Sequence, residues 1–125
     1  MSVIHRADQR RTETPNAVMT TLASPTVGGA GRSLWRVEMR PGAQGPQHSF
    51  DVEQVWTVLE GAADVVLDGC TSRVQVGDTL VFAPGRTRQI TADAEAGLVA
   101  MVTSPPEGRA AMADGTDRGV PVWIA

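Results

Sequence analysis

The chain has 125 residues, of which 42% are hydrophobic and 20% are charged, and its formal net charge is −3. These values are typical of one globular domain and exclude a disordered or fibrous chain. All eleven basic residues are arginines, scattered along the chain, so we predict no nucleic-acid partner. No apolar run approaches the roughly eighteen residues that a membrane span needs. The polar N-terminus also lacks the apolar core of a signal peptide, so we predict a cytoplasmic protein without a membrane partner.

Alternation of apolar and polar residues dominates the first half of the chain and predicts β-strands. Residues 1–16 are predicted to form an N-terminal arm that is available to pair with a partner subunit. We expect a first strand at 17–24 and a second in SLWRVEMR, at 33–40. In VEQVWTVLEG, at 52–61, apolar groups occur on both faces, so we expect this strand to be covered on both sides.

Turn residues divide the second half of the chain into further short strands. Asp68 and Gly69 stand between two β-forming runs and predict a tight hairpin, because both central residues must tolerate a positive φ. Cys70 is the only cysteine, which excludes an internal disulfide, and we interpret it as a small apolar residue on a strand. Three more strands are predicted in GDTLVFAPG, RQITA and GLVAMVTS.

Pro105 and Pro106 are predicted to end the regular part of the chain. Residues 17–104 would then form one barrel, and residues 105–125 a tail. Within the tail, EGRAAMADGTDRG is compatible with a short helix, and the apolar VPVWIA is expected to dock against the barrel. Many short strands separated by turns indicate an all-β barrel or double-sheet sandwich with little helix.

Two stretches, PGAQGPQHSFDVEQVWTVLEG and GDTLVFAPGRTRQI, resemble the two signature motifs of the cupin superfamily. The motifs read roughly G(X)5HXH(X)3–4E(X)6G and G(X)5PXG(X)2H(X)3N, and four glycines of this chain fall in register with them. The resemblance covers about residues 33–104. It implies a small single-domain cupin of the bacterial type: a jelly-roll β-barrel with an interior pocket, and a homodimer in which edge strands pair. The glycines in register are Gly42, Gly61, Gly77 and Gly85.

The positions that hold a metal ion in many cupins are mostly substituted in this chain. His48 matches the first histidine, but Phe50 takes the place of the second. Gln54 occupies the glutamate position, with Glu53 one residue too early, and Arg88 occupies the last histidine position. Divalent transition metals favour imidazole, carboxylate and thiolate ligands, and a guanidinium cation would repel them. We therefore expect no metal cofactor; if a divalent ion does bind, its ligands are His48 and Gln54.

Without a metal, the same positions offer a site for an organic molecule. His48 would act as the acid or base near neutral pH, and Arg88 would bind an anion or stabilise a developing oxyanion. Gln54 would orient a carbonyl or hydroxyl group, while Phe50 and Trp56 would stack on a ring. These roles favour a metal-independent enzyme, an isomerase, cyclase or dehydratase-type lyase, acting on a small anionic or polyketide-like metabolite. The resemblance to small bacterial cupins implies a place in a biosynthetic pathway.

Two other functions stay open at this point. The protein would be a binding module if its pocket holds a metabolite without changing it, or a metal-dependent oxygenase if an atypical ligand set suffices. Each residue also has a purely structural interpretation, such as a backbone hydrogen bond for His48 or a solvent-facing position for Arg88. The functional interpretation therefore requires His48, Phe50, Gln54 and Arg88 to converge in one pocket.

Overall fold

A computed structural model describes all 125 residues and shows an almost all-β protein. It contains no α-helix, and a single three-residue 3-10 helix at Arg6–Asp8 precedes the strands. No helical segment could therefore cross a bilayer. The eleven strands are β1 Arg10–Glu13, β2 Val18–Ala23, β3 Ser33–Met39, β4 His48–Phe50, β5 Gln54–Leu67, β6 Cys70–Gln75, β7 Thr79–Phe82, β8 Arg88–Ala92, β9 Leu98–Ser104, β10 Ala110–Met112 and β11 Asp117–Gly119.

The long strand β5 belongs to both sheets of the fold. Its first half pairs with β7 and β9, and its second half pairs with β6 and β8. One sheet thus has the order β1-β2-β3-β9-β5-β7, and the other has the order β6-β5-β8-β4-β10-β11. All strand pairs are antiparallel. Because the sheets share one strand, they curl around a common core, which confirms the predicted jelly-roll barrel.

The bend in β5 occurs at Gly61, where the strand passes from one sheet to the other. Gly61 has a φ of 73°, in the left-handed region that favours glycine. A Cβ atom at this position would lie 2.0 Å from the carbonyl oxygen of Gly97, so any side chain would collide with the neighbouring backbone. This steric requirement explains why the cupin motif has a glycine at this point.

Alternating residues of β3 and β5 face the core, as their patterns predict. Trp35 and Val37 are each 1% exposed, and Gln54 and Trp56 point to the same interior. The outer face of β5 differs from the prediction, because Leu59 is 40% exposed and no second layer covers it. The expectation that this strand is covered on both sides was therefore wrong. One covered face is what an antiparallel sheet around a single core requires.

The predicted hairpin at Asp68 and Gly69 is confirmed. These residues have φ values of 49° and 80° and connect β5 to β6 with continuous pairing up to the turn. Cys70 is the first residue of β6, as the strand prediction requires, but it is exposed and does not pack in the core.

The segment predicted as an N-terminal arm contributes a strand to the barrel. Residues 10–13 form β1, which pairs with β2 of the same chain. The sheet therefore begins before residue 17. The other edge of β1 has no strand neighbour in the chain. Pairing of this edge with a partner subunit stays a prediction.

The tail after Pro106 forms a β-hairpin and not the short helix with which its sequence is compatible. Strand β10 pairs with β4 on one side and with β11 on the other. Pro105 and Pro106 likewise do not end the regular structure. The physical reason is the open edge of β4, whose backbone groups gain partners when the tail is added as a further strand.

The last residues of the chain pack against the first sheet. Ile124 is fully buried. The Thr21 hydroxyl donates to the carbonyl of Trp123 at 2.7 Å, and the Ser33 hydroxyl donates to the carbonyl of Ile124 at 2.5 Å. These contacts hold the C-terminal segment as one wall of the barrel interior.

Candidate functional site

A cavity of about 400 Å³ lies inside the barrel and is lined by twenty residues. Its walls come from both sheets, from the turn at 14–17, from the β10–β11 hairpin and from the C-terminal segment. This volume is within the usual range for small-molecule sites. The aromatic and methionine side chains of the lining are Trp35, Phe50, Trp56, Trp123, Met19, Met39 and Met112.

Four of the five predicted site residues lie in this lining, namely His48, Phe50, Gln54 and Trp56. The lining contains no acidic side chain, and its only permanent charge is Arg118. Most of the wall is apolar. A flat, apolar molecule with few polar groups therefore suits this cavity better than a small, highly charged one.

His48 opens β4 and lies opposite Arg88 of β8. Its Nδ1 atom lies 2.9 Å from the carbonyl oxygen of Pro46. Because a carbonyl can only accept, Nδ1 must carry the proton, which leaves Nε2 of the neutral ring as an acceptor. Burial, and then the positive charge of Arg88, lower the pKa of His48 below its ordinary value of 6.5. The neutral form of the imidazole, with its lone pair on Nε2, is therefore favoured at pH 7.

Arg88 does not line the cavity, which corrects its predicted place in the pocket. The residue is 1% exposed, and its guanidinium carbon lies 4.9 Å from the ring centroid of Phe50 and 4.5 Å from that of Phe82. The two rings enclose the cation, so it is not placed to contact a ligand directly. No carboxylate pairs with it. Burial lowers the pKa of Arg88 to about 10, and the side chain stays charged at neutral pH.

The amide of Gln54 connects Arg88 to the cavity wall. Nη2 of Arg88 donates to Oε1 of Gln54 at 2.6 Å, and Nε1 of Trp56 donates to the same oxygen at 3.2 Å. Both partners can only donate, so they fix which end of the amide faces them. The NH2 group of Gln54 is buried and has no hydrogen-bond partner. Unpaired buried donors are rare in proteins and cost free energy.

The residues at the cupin metal positions do not fit a divalent ion. No three His, Cys, Asp or Glu side chains of the chain are close enough to share one. The amide oxygen of Gln54 is already taken by two donors, one of them the Arg88 cation. Glu53, in the loop just before β5, is exposed. His48 is the only good metal ligand left at these positions.

Five lining residues from the tail, among them Arg118 and Trp123, were not among the predicted site residues. Arg118 lies on β11, and Trp123 lies in the C-terminal segment. The apolar run VPVWIA was a signal that Trp123 would be buried. No local signal identifies Arg118, because its position depends on how the hairpin after Pro106 pairs with β4.

Comparisons with known proteins agree with this architecture. A family model described as "Cupin domain" matches residues 35–104. KdgF from Halomonas sp. is similar with a TM-score of 0.69 and 22% identity, over 84% of this chain and 94% of that one. The polyketide cyclase RemF from Streptomyces resistomycificus is similar with a TM-score of 0.74 and 24% identity, over 86% of this chain and 81% of that one. A cupin 2 domain-containing protein from Halorhodospira halophila is similar with a TM-score of 0.68 and 26% identity, over 75% of this chain and 68% of that one.

Proposed function

The chain belongs to the cupin family, and we propose that it is a metal-independent enzyme that moves a proton in a flat, largely apolar carbonyl compound. The reaction would be an isomerisation, a ring closure or a dehydration of a polyketide-like molecule. One observation carries this proposal: His48, whose Nε2 is the ring nitrogen left as an acceptor, and Gln54, whose buried NH2 group has no partner, both belong to the lining of the same apolar cavity. A base and an oxyanion donor are the two groups that enolisation requires.

In the proposed reaction, Nε2 of His48 takes a proton from the carbon next to the substrate carbonyl. The electrons of that C–H bond form a carbon–carbon double bond, and negative charge develops on the carbonyl oxygen. The NH2 group of Gln54 donates a hydrogen bond to this oxygen. Return of the proton to another carbon isomerises the molecule. Attack of the enolate carbon on a second carbonyl closes a ring, and the proton on Nε2 passes to the new alkoxide. In a dehydration, the enolate re-forms its carbonyl as the bond from the β-carbon to oxygen breaks, and the hydroxyl group leaves as water with the proton from Nε2.

Arg88 is a positioning residue in this mechanism. Its hydrogen bond to Oε1 holds the Gln54 amide with the NH2 end unpaired. Its charge, which has no carboxylate partner, also favours negative charge nearby, because water screens a buried cation poorly. The oxyanion-stabilising role first expected of Arg88 thus becomes an indirect one.

The composition of the cavity wall supports the choice of substrate class. Four aromatic side chains offer flat surfaces for a ring system, namely Trp35, Phe50, Trp56 and Trp123. The enclosure of Arg88 argues against a small anion held deep inside the barrel. One structural neighbour is named as a polyketide cyclase, and that name is consistent with the class proposed for this chain.

Solvent-deuterium exchange into 2-tetralone, followed by NMR with excess EDTA present, tests this proposal. This bicyclic aromatic ketone has acidic hydrogens next to its carbonyl. We expect the protein to accelerate exchange at least about tenfold over free imidazole at equal concentration, and His48→Gln to remove the acceleration. His5→Gln, a change of the exposed second histidine, is the matched control and should exchange like the unchanged protein. Loss of the acceleration with EDTA, or equal rates for both variants, would refute the proposal.

A metabolite-binding protein without catalysis is the second candidate. The 1% exposure of Gln54 favours it, since an amide that barely reaches the cavity surface serves to support the wall. In this case, cavity ligands would bind and be recovered unchanged, and the unchanged protein would exchange 2-tetralone at the uncatalysed rate, as would His48→Gln.

We further propose that the protein is a homodimer that uses the open edge of β1, at Arg10–Glu13. Unpaired backbone groups on a sheet edge favour addition of another strand. Size-exclusion chromatography with light scattering should give twice the chain mass, and Arg11→Pro should shift the mass to that of the monomer, because proline removes a backbone donor that faces away from β2. A monomeric mass for the unchanged chain at micromolar concentration would contradict the homodimer.

A further inference from the structure

Arg118 combines three properties that no other cation of this chain shares. It lies in the cavity lining, it is exposed at the rim, and it has no ion-pair partner. Its neighbour Arg109 differs, because the guanidinium of that residue donates to Asp117 at 2.7 Å. A cation that lines an apolar cavity without a protein partner is available to an anionic ligand group.

The surroundings of Arg118 contain little that would compete with such a group. Asp114 is the acidic residue whose pKa responds to the charge of Arg118, although hydrogen bonds from Thr116 account for most of the lowering of that pKa. The backbone N–H of Thr116 donates to Asp114 Oδ1 at 2.9 Å. The cavity wall itself contributes no carboxylate.

The strand that carries Arg118 is linked to the strand that carries the proposed base. Strand β11 pairs with β10, and β10 pairs with β4, where Met112 lies opposite His48. The cation at the rim and the imidazole of the lining are thus held in one piece of sheet. The same ligand could meet both, with its apolar body against the aromatic walls.

We propose that Arg118 selects amphiphilic aromatic carboxylates, holding their carboxylate at the rim while the ring system occupies the barrel. This inference rests on the proposed function in taking the occupant of the cavity to be an apolar ring compound. The guanidinium fork matches a carboxylate in shape and charge. Because an exposed ion pair contributes little free energy, Arg118 sets a preference of several fold, and the apolar walls provide most of the affinity.

Binding of 2-naphthoate and of its neutral analogue 2-naphthamide, measured by calorimetry in low salt, tests this inference. We expect the unchanged protein to prefer naphthoate about fivefold, and added salt to reduce this preference. Arg118→Gln should bring the ratio close to one while changing naphthamide affinity less than about twofold. Arg118→Lys should keep part of the preference, because it keeps the charge. Arg36→Gln, on the outer face of β3, is the charge-matched control and should leave the ratio unchanged.

The outcomes separate this inference from the proposed function, because binding requires no turnover. A preference lost in Arg118→Gln supports the inference even when 2-tetralone exchange is not catalysed. Catalysed exchange together with an unchanged ratio in Arg118→Gln supports the function and overturns the inference. Failure of both naphthalene compounds to bind the unchanged protein also overturns it.

Discussion

Two arginines flank the cavity, and the fold places them in opposite environments. Arg88 is enclosed by two phenyl rings and touches one amide oxygen, whereas Arg118 stands in solvent at the rim. The enclosed charge acts strongly over short distances but does not reach a ligand, while the exposed charge reaches a ligand but is screened by water. Arg88 is therefore suited to holding the Gln54 amide in position, and Arg118 is suited to selecting the ligand by its charge.

The largest expected effect comes from removing the donor that Arg88 orients. In Gln54→Glu, the carboxylate still accepts hydrogen bonds from Arg88 and Trp56 but has no NH2 group to offer. We expect exchange of 2-tetralone to slow about 100-fold, with a melting temperature close to that of the unchanged protein. A folded Gln54→Glu protein that exchanges at the original rate would show that the amide donor has no catalytic role.

The next prediction concerns what holds Arg88 between the two rings. Arg88→Ala should lower the free energy of unfolding by about 3 kcal/mol, since it leaves a cavity between Phe50 and Phe82. Arg88→Met fills that space without a charge and should change the free energy of unfolding by less than about 1 kcal/mol. Urea unfolding measures both. Equal losses for the two variants would mean that the charge itself, and not the packing, stabilises the barrel.

A third prediction follows from the lowered pKa of His48. Because the folded protein disfavours the imidazolium, the unfolded chain binds more protons, and the free energy of unfolding falls as the pH drops below the ordinary value of 6.5. This loss should be smaller in His48→Gln. In Arg88→Met the pKa of His48 should rise part of the way back, because burial, the larger cause, remains. Parallel pH profiles for the unchanged protein and His48→Gln would contradict this account.

The smallest effect is expected for Glu53, the carboxylate beside the substituted metal position. Glu53 immediately precedes β5, and its side chain is exposed. We expect Glu53→Gln to change the free energy of unfolding by less than about 0.5 kcal/mol and to leave ligand binding unchanged. Loss of a bound metal ion in this variant, measured on protein purified without a histidine tag, would show that the strand register differs.

The sequence was sufficient to predict β2, β3 and β5 to β9, together with four of the twenty residues that line the cavity. Alternation in β3 and β5 gives their buried faces, and turn chemistry gives the hairpin at Asp68 and Gly69. Motif spacing then brings His48 and Gln54 to one interior. These signals are local or shared by the family. They predict the buried face correctly because side chains alternate between the two faces of a strand, so the apolar residues decide which face is buried.

The places of the two arginines could not be predicted in the same way. Whether Arg88 lines the cavity or lies behind its wall depends on Phe50 and Phe82 closing around it, which is a contact among distant strands. Arg118 reaches the rim because β10 adds to the open edge of β4. The segment before it, EGRAAMADG, has no clean alternation, so tertiary pairing and not local propensity decides its structure.

A long-range proton–nitrogen NMR spectrum of His48, recorded from about pH 5 to pH 8, tests the central claim most directly. We expect a mainly neutral ring at pH 7 with the proton on Nδ1, an unprotonated Nε2, and a titration midpoint below 6.5. A ring that is doubly protonated at pH 7, or one that carries its proton on Nε2, would remove the base on which the proposed chemistry depends.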